Sequence, residues 1–127
     1  MKFDNGRQFY RVDFDRRVYL EFIDDSYDCC EIKNLSLGGM FITGIFPKKL
    51  EEKCQVYLYH DPKSSSPCLN ASGIIVRNTE EGIGVKFISM TYKNYMVLLT
   101  TLINNAQQPS SNLHEYLDKY PFEIINN

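Results

Sequence analysis

Asn34-Leu35-Ser36-Leu37-Gly38-Gly39, followed by Met40-Phe41-Ile42-Thr43, is the stretch on which the reading of this chain turns. Asparagine, serine and two glycines between apolar runs are turn chemistry: short polar side chains bond nearby backbone, and glycine tolerates tight geometry. A strand from Tyr27 to Lys33 should therefore enter the turn, and a short apolar strand from Met40 to Thr43 should leave it. Upstream, Val12, Phe14, Val18, Leu20 and Phe22 recur at period two, with Arg16 as the interruption. That pattern predicts one long half-buried strand from Val12 to Ile23, bent or bulged near Arg16. Downstream, Cys54, Val56 and Leu58 alternate with Gln55, Tyr57 and Tyr59, and two further runs cover Leu69–Val76 and Ile83–Ile88. Short strands joined by short turns predict an antiparallel barrel or sandwich, and a barrel leaves no unpaired edge.

The period changes after Ile88. Tyr92, Tyr95, Met96, Leu99, Leu102 and Ile103 fall on one helical stripe over Tyr92–Asn105, with Thr91 placed to cap it. Asn104 to Ser111 is a polar break, and a second short helix is expected from Asn112, with Glu115 as a capping-box partner and Pro121 as its stop. The expected organisation is one domain over 1–105 with a mobile N-terminal arginine segment and a closing helix, then an extension over 106–127 carrying the short helix.

Bulk properties narrow the function. The chain has 127 residues, about one domain's worth. Its net charge of −2 argues against a broad nucleic-acid or anionic-membrane face, which needs a basic surface. The charge is uneven, however. Residues 1–17 carry five basic groups against three acidic ones, a local excess of +2 on an otherwise acidic body. No stretch approaches the roughly 20 apolar residues of a membrane span, and no signal-peptide run opens the sequence, so a cytoplasmic protein without membrane insertion is expected. Cys29, Cys30, Cys54 and Cys68 lack metal-binding spacing, so buried reduced thiols and no metal are expected. There is no nucleophile elbow and no Walker-type phosphate loop, and neither His60 nor His114 has partners that suggest a catalytic base. The chain reads as a non-enzymatic binding module.

Two patterns carry chemistry. Arg7-Gln8-Phe9-Tyr10-Arg11 places two arginines four residues apart, just after Gly6. A guanidinium can grip phosphate oxygens in a fork, read guanine O6 and N7, or lie flat on a base. The two arginines stand about 13 Å apart in an extended chain or one turn apart in a helix, and either spacing suits clamping opposite sides of a small dianion. Asn34, Ser36, Gly38 and Gly39 form the second pattern, with short hydrogen-bonding groups beside glycines that let backbone approach a flat ligand. Each pattern alone is common by chance, and the second alone would be an ordinary hairpin turn. Their order and spacing in a β-rich chain with a late Gly82-x-Gly84-Val85-x-Phe87 run are not common.

The combination resembles the PilZ family of bacterial cyclic di-GMP receptors, whose hallmark is R-x-x-x-R followed by [DN]-x-S-x-x-G. Arg7 and Arg11, then Asn34, Ser36 and Gly39, match it, and the likeness spans about residues 5–104. Two features depart from the family: Asn5 and Gly6 replace the basic residues that often crowd the first arginine, and the segment after Asn105 has no counterpart. The resemblance implies an all-β chain, mainly a six-stranded antiparallel β-barrel with a C-terminal α-helix. It also implies that Arg7 and Arg11 grip the phosphates and guanine edges of cyclic di-GMP, as one molecule or an intercalated pair. Asn34 would meet a guanine edge, Ser36 would bond phosphate or base, and Gly38 and Gly39 would allow close approach. Arg16 and Arg77 are expected in outer, supporting positions. No other cofactor is implied. With six residues before Arg7, the output is expected to reach an effector protein that reads the reshaped surface. A competing expectation is a barrel of the same type that binds partner proteins without ligand, using aromatics such as Tyr10, Tyr57 and Tyr59.

Overall fold

Cys54, Val56 and Leu58 are buried while Lys53, Gln55 and Tyr57 are not, which is the period-two signature of a pleated strand with one face on a core. The same logic runs through the computed structural model, which describes residues 11–13, 16–59, 66–105 and 121–126. In chain order the elements are β1 (Arg11–Asp13), β2 (Arg17–Glu21), β3 (Ser26–Ser36), β4 (Gly39–Thr43), β5 (Lys53–Leu58), β6 (Leu69–Asn78), β7 (Gly82–Thr91), α1 (Tyr92–Asn105) and β8 (Glu123–Ile125). Neighbouring strands run β3-β2-β5-β6-β7-β4, and pairing of β4 with β3 closes the ring into a six-stranded antiparallel barrel. Closure satisfies the backbone groups that an open sheet would leave on its edges. The barrel interior is filled by Val18, Leu20, Ile32, Leu35, Ile42, Val56, Ile75, Ile83 and Phe87, all but excluded from solvent. Each such side chain contributes roughly 1.5–3 kcal/mol by leaving water.

Near Arg16, where the pattern predicts a bend or bulge, the register against β3 shifts by one residue, from Asp13 opposite Asn34 in β1 to Arg17 opposite Glu31 in β2. Arg16 lies just before β2, and its carbonyl accepts from the Ile32 N–H at 3.2 Å. The structure differs from the sequence reading at several places. β3 runs to Ser36 rather than stopping at Lys33, so the turn is reduced to Leu37 and Gly38. Pairing with β1, and for Asn34 with β4 as well, overrides the turn preference of Asn34 and Ser36.

The helix occupies the expected residues, and Thr91 caps it: its Oγ1 accepts from the Asn94 N–H at 3.2 Å. Its buried stripe is instead Tyr95, Leu98, Leu99 and Leu102, while Tyr92, Met96 and Ile103 are exposed. The first turn of the helix is tied to β6, where the Asn70 N–H donates to Asn94 Oδ1 at 3.0 Å. The sequence reading also missed β8, which pairs in parallel with the end of β7. Just before it, buried Phe122 packs edge-on against Phe87 and Tyr95, with ring centres 6.3 and 6.0 Å apart. The short helix expected from Asn112 lies outside the described residues.

At the barrel end away from the Leu37–Gly38 turn, the β2–β3 turn and the β4–β5 loop are joined through Lys48, whose side chain is only 3% exposed. Its ammonium donates to Asp25 at 2.5 Å, Asp24 at 3.1 Å and Glu52 at 3.2 Å, and lies over the Phe22 ring. Burial alone would push this ammonium down, but the three carboxylates outweigh it and hold Lys48 above its ordinary value. The Asn78 side-chain amide donates to the carbonyls of Phe46 and Lys48, fastening the loop to β6.

Candidate functional site

The site grows from a bulge. Ile32 pairs with Ile42 and Asn34 with Phe41, so β3 carries one extra residue, Lys33, against β4. An inserted residue bends the strand and re-aims the side chains beyond it. The effect is visible in burial: Asn34 and Leu35 are consecutive and both buried, whereas strict alternation would expose one. Asn34 is only 4% exposed, a polar residue flanked by Asp13 of β1 and Phe41 of β4.

Ser36 closes the strand. Its Oγ accepts from the N–H groups of Gly38 and Gly39, both at 3.2 Å, and donates to the Gly39 carbonyl at 3.3 Å. The hydroxyl thus serves the turn, and a ligand bond to Ser36 would share or replace one of these contacts. The turn is also tied to β7, because the Phe87 N–H donates to the Gly38 carbonyl at 2.9 Å. Gly39 has a packing reason to be glycine: a Cβ there would lie 2.0 Å from the Val85 carbonyl oxygen. Its bareness lets β4 and β7 approach each other, a different duty from admitting a ligand.

Arg11 stands at the register position opposite Ser36, and Asp13 opposite Asn34. The second arginine of the first pattern is therefore brought beside the second pattern by β1–β3 pairing. Arg7 lies outside the described residues. Lys33 at the bulge and Lys86, the register partner of Gly39, are both exposed and add positive charge around the same strands. Arg16 is half-buried at the foot of β2. Arg77 is on β6, three strands from Asn34, with its guanidinium carbon 5.4 Å from the centre of the Phe41 ring. Sequence reasoning missed Phe41, whose only signal is its place two positions after Gly39. An open groove of about 430 Å³ between β2, β5, β6 and β7 residues, including Glu21, Lys53, Gln55, Ser72 and Ile88, contains none of the predicted site residues. Among the described residues, no group of three or more His, Cys, Asp or Glu side chains is placed to hold a metal ion. No helix among them is long and apolar enough to cross a membrane.

Comparison with known proteins agrees with the barrel fold. The family model described as PilZ domain matches residues 5–104. No curated protein matches significantly. Among solved structures, the Bacillus subtilis inhibitor of motility (MotI/DgrA) aligns with a TM-score of 0.61 at 13% identity, over 91% of this chain. The alignment covers 53% of that protein, so the chain spans about half its length, and at this identity the likeness is one of fold.

Proposed function

The chain belongs to the PilZ domain family, and from that premise we propose that it is a cyclic di-GMP receptor acting as an adaptor rather than an enzyme. The observation that carries the reading is the β1–β3 register, which sets Arg11 across from Ser36 and two residue pairs from Asn34. An arginine at a register position near a buried amide suits a ligand with phosphates and guanine edges together. In the proposed mechanism Arg7 and Arg11 close on the phosphates, Asn34 reads a base edge, and the closed N-terminal segment alters the surface presented to an effector protein. One ligand molecule or an intercalated pair would serve, with no other cofactor, no nucleic acid and a cytoplasmic setting.

Calorimetric titration of cyclic di-GMP into wild type, Arg7→Ala, Arg11→Ala and Asn34→Ala, with GTP as control, tests the reading. Wild-type binding that each substitution weakens at least tenfold is expected. No heat and no thermal shift with wild type at tens of micromolar ligand would reject it. The rival reading, a ligand-independent interaction module, draws support from Ser36 and Gly39, whose structural duties need no ligand. The wild-type titration separates the two.

A further inference from the structure

The barrel end opposite the Leu37–Gly38 turn gathers three connections: the β2–β3 turn, the β4–β5 loop and the β6–β7 turn. Lys48 ties the first two together through Asp24, Asp25 and Glu52. The third is fastened by the Gly44 N–H on the Glu81 carbonyl at 3.0 Å, and by Asn78 on the Phe46 and Lys48 carbonyls. Glu51 sits at φ 71°, a backbone state that a residue with a side chain keeps only where its surroundings fix it. Its N–H donates to the Ile75 carbonyl at 2.6 Å, and the Glu52 carbonyl accepts from the Ile75 N–H at 2.9 Å. This fixed frame holds three aliphatic side chains in solvent: Ile23 is wholly exposed, Ile45 84% and Leu50 61%. One exposed aliphatic is ordinary, but three on connections bonded to one another make a patch. Ile23 also lines the open groove of about 430 Å³, where Phe22, Cys54 and Ile88 add apolar wall and Glu21 and Lys53 offset each other.

We propose that this end of the barrel docks a basic segment of a partner protein, whose aliphatic or aromatic side chains cover Ile23, Ile45 and Leu50. Charge selects the occupant. The same three connections carry Asp24, Asp25, Glu51, Glu52, Glu80 and Glu81 against Lys48 and Lys49. Lys48 is buried and engaged by carboxylates, so the exposed surface here is acidic. A cationic segment is drawn to it, whereas an anionic lipid or a nucleic acid is repelled. A second copy of this chain would set these carboxylates against their own kind. The groove beside Ile23 gives one side chain of the segment a place to enter. Asn34 and Ser36 stand at the far end of β3, roughly 30 Å along the strand, so partner and nucleotide do not compete for space. The inference therefore holds whether or not the chain binds cyclic di-GMP.

The probe is a fluorescent amphipathic peptide of leucine and lysine, about four helical turns long, titrated by anisotropy against wild type and variants. Its leucine–glutamate counterpart is the charge control. Wild type should bind the lysine peptide at about 10 µM or tighter, and the glutamate peptide at least about tenfold more weakly. Ile45→Ser combined with Leu50→Ser should weaken lysine-peptide binding about tenfold, because two buried aliphatic contacts are lost. Glu80→Lys combined with Glu81→Lys should weaken it about fivefold and flatten its salt dependence. Ile103→Ser, on the exposed side of α1, should leave it within about twofold of wild type. Methyl NMR of wild type should show the peptide shifting Ile23, Ile45 and Leu50 but not Ile103 or Ile125, and this map decides should a variant unfold. No binding at about 100 µM peptide, equal affinity for the two peptides, or methyl shifts elsewhere would each overturn the inference. So would self-association that Ile45→Ser with Leu50→Ser abolishes, because a second copy would then cover the face.

Discussion

Gly39→Ala asks how closely the site is built into the barrel. The added Cβ would sit 2.0 Å from the Val85 carbonyl oxygen and 3.1 Å from the Lys86 Cα, both backbone atoms that cannot swing aside. An ordinary carbon–oxygen contact between strands is about 3.3–3.6 Å, so β4 and β7 must part by about 1.3 Å or more at this rung. Hydrogen bonds near 2.9 Å, including that from the Phe87 N–H to the Gly38 carbonyl, would be stretched past useful length. Losing two such bonds, with partly buried groups left unpaired, costs about 2–4 kcal/mol. That is a large part of the roughly 5–15 kcal/mol that holds a domain of this size. Urea denaturation followed by far-ultraviolet circular dichroism measures it directly, and a melting point lowered by about 10 °C should accompany it. Gly84→Ala is the matched control. Its Cβ would meet the Arg77 side chain at 3.2 Å rather than backbone, so it should cost under about 1 kcal/mol. A Gly39→Ala protein within about 0.5 kcal/mol of wild type, or no less stable than Gly84→Ala, would refute the close-approach argument.

Three further outcomes are expected. Phe122→Ala should destabilise the fold by about 3–5 kcal/mol, because the ring is buried against Phe87 and Tyr95; a change under 1 kcal/mol in denaturant titration would detach the β8 segment from the core. Stability should fall in acid as pH passes below about the ordinary 4.5 of Glu52 and then 3.8 of Asp25. The Lys49 N–H and Lys48 hold Glu52 low in the fold, the Lys48 hydrogen bond holds Asp25 low, and depressed carboxylates lose their contribution as they protonate. Lys48, raised in the fold, stabilises fully below its ordinary 10.5 and loses that contribution only above it; Lys48→Met should lower stability at neutral pH and flatten the acid limb, because Lys48 no longer holds Asp25 and Glu52 low, and an unchanged limb would contradict the cluster's role. Burial, reinforced by nearby Glu52, pushes the Cys54 thiol up to about 12, so mass spectrometry should find it alkylated at pH 8 more than tenfold slower in native than in urea-unfolded protein; equal rates would show that the site opens readily.

Much of this architecture was legible in the chain because its causes are local. Alternation of Cys54, Val56 and Leu58, the change of period at Tyr92 and the capping position of Thr91 all record which residues face the core within one element. The likeness to a family was legible for the same reason: Arg7, Arg11, Asn34, Ser36 and Gly39 are read in a line, without knowing what folds beside them. Where the chain misled, the cause was a neighbour distant in sequence. Asn34 and Ser36 look like turn residues until β1 pairs with both and β4 pairs with Asn34 from the other side. Tyr92, Met96 and Ile103 look inward-facing until the helix docks on the barrel through Tyr95, Leu98, Leu99 and Leu102. Glu123–Ile125 is too short to announce itself as a strand until the end of β7 offers an edge.

The sequence by itself determined an all-β barrel with a terminal helix and a bipartite arginine and asparagine motif, since periodicity and residue chemistry are properties of the chain alone. Only the tertiary structure decided that Arg11 comes to rest opposite Ser36, that Gly39 is bare for the sake of β7, and that Arg77 reaches Phe41 across Gly84. Each of those depends on register between strands far apart in sequence, and register is set when the barrel closes and its core faces are buried together.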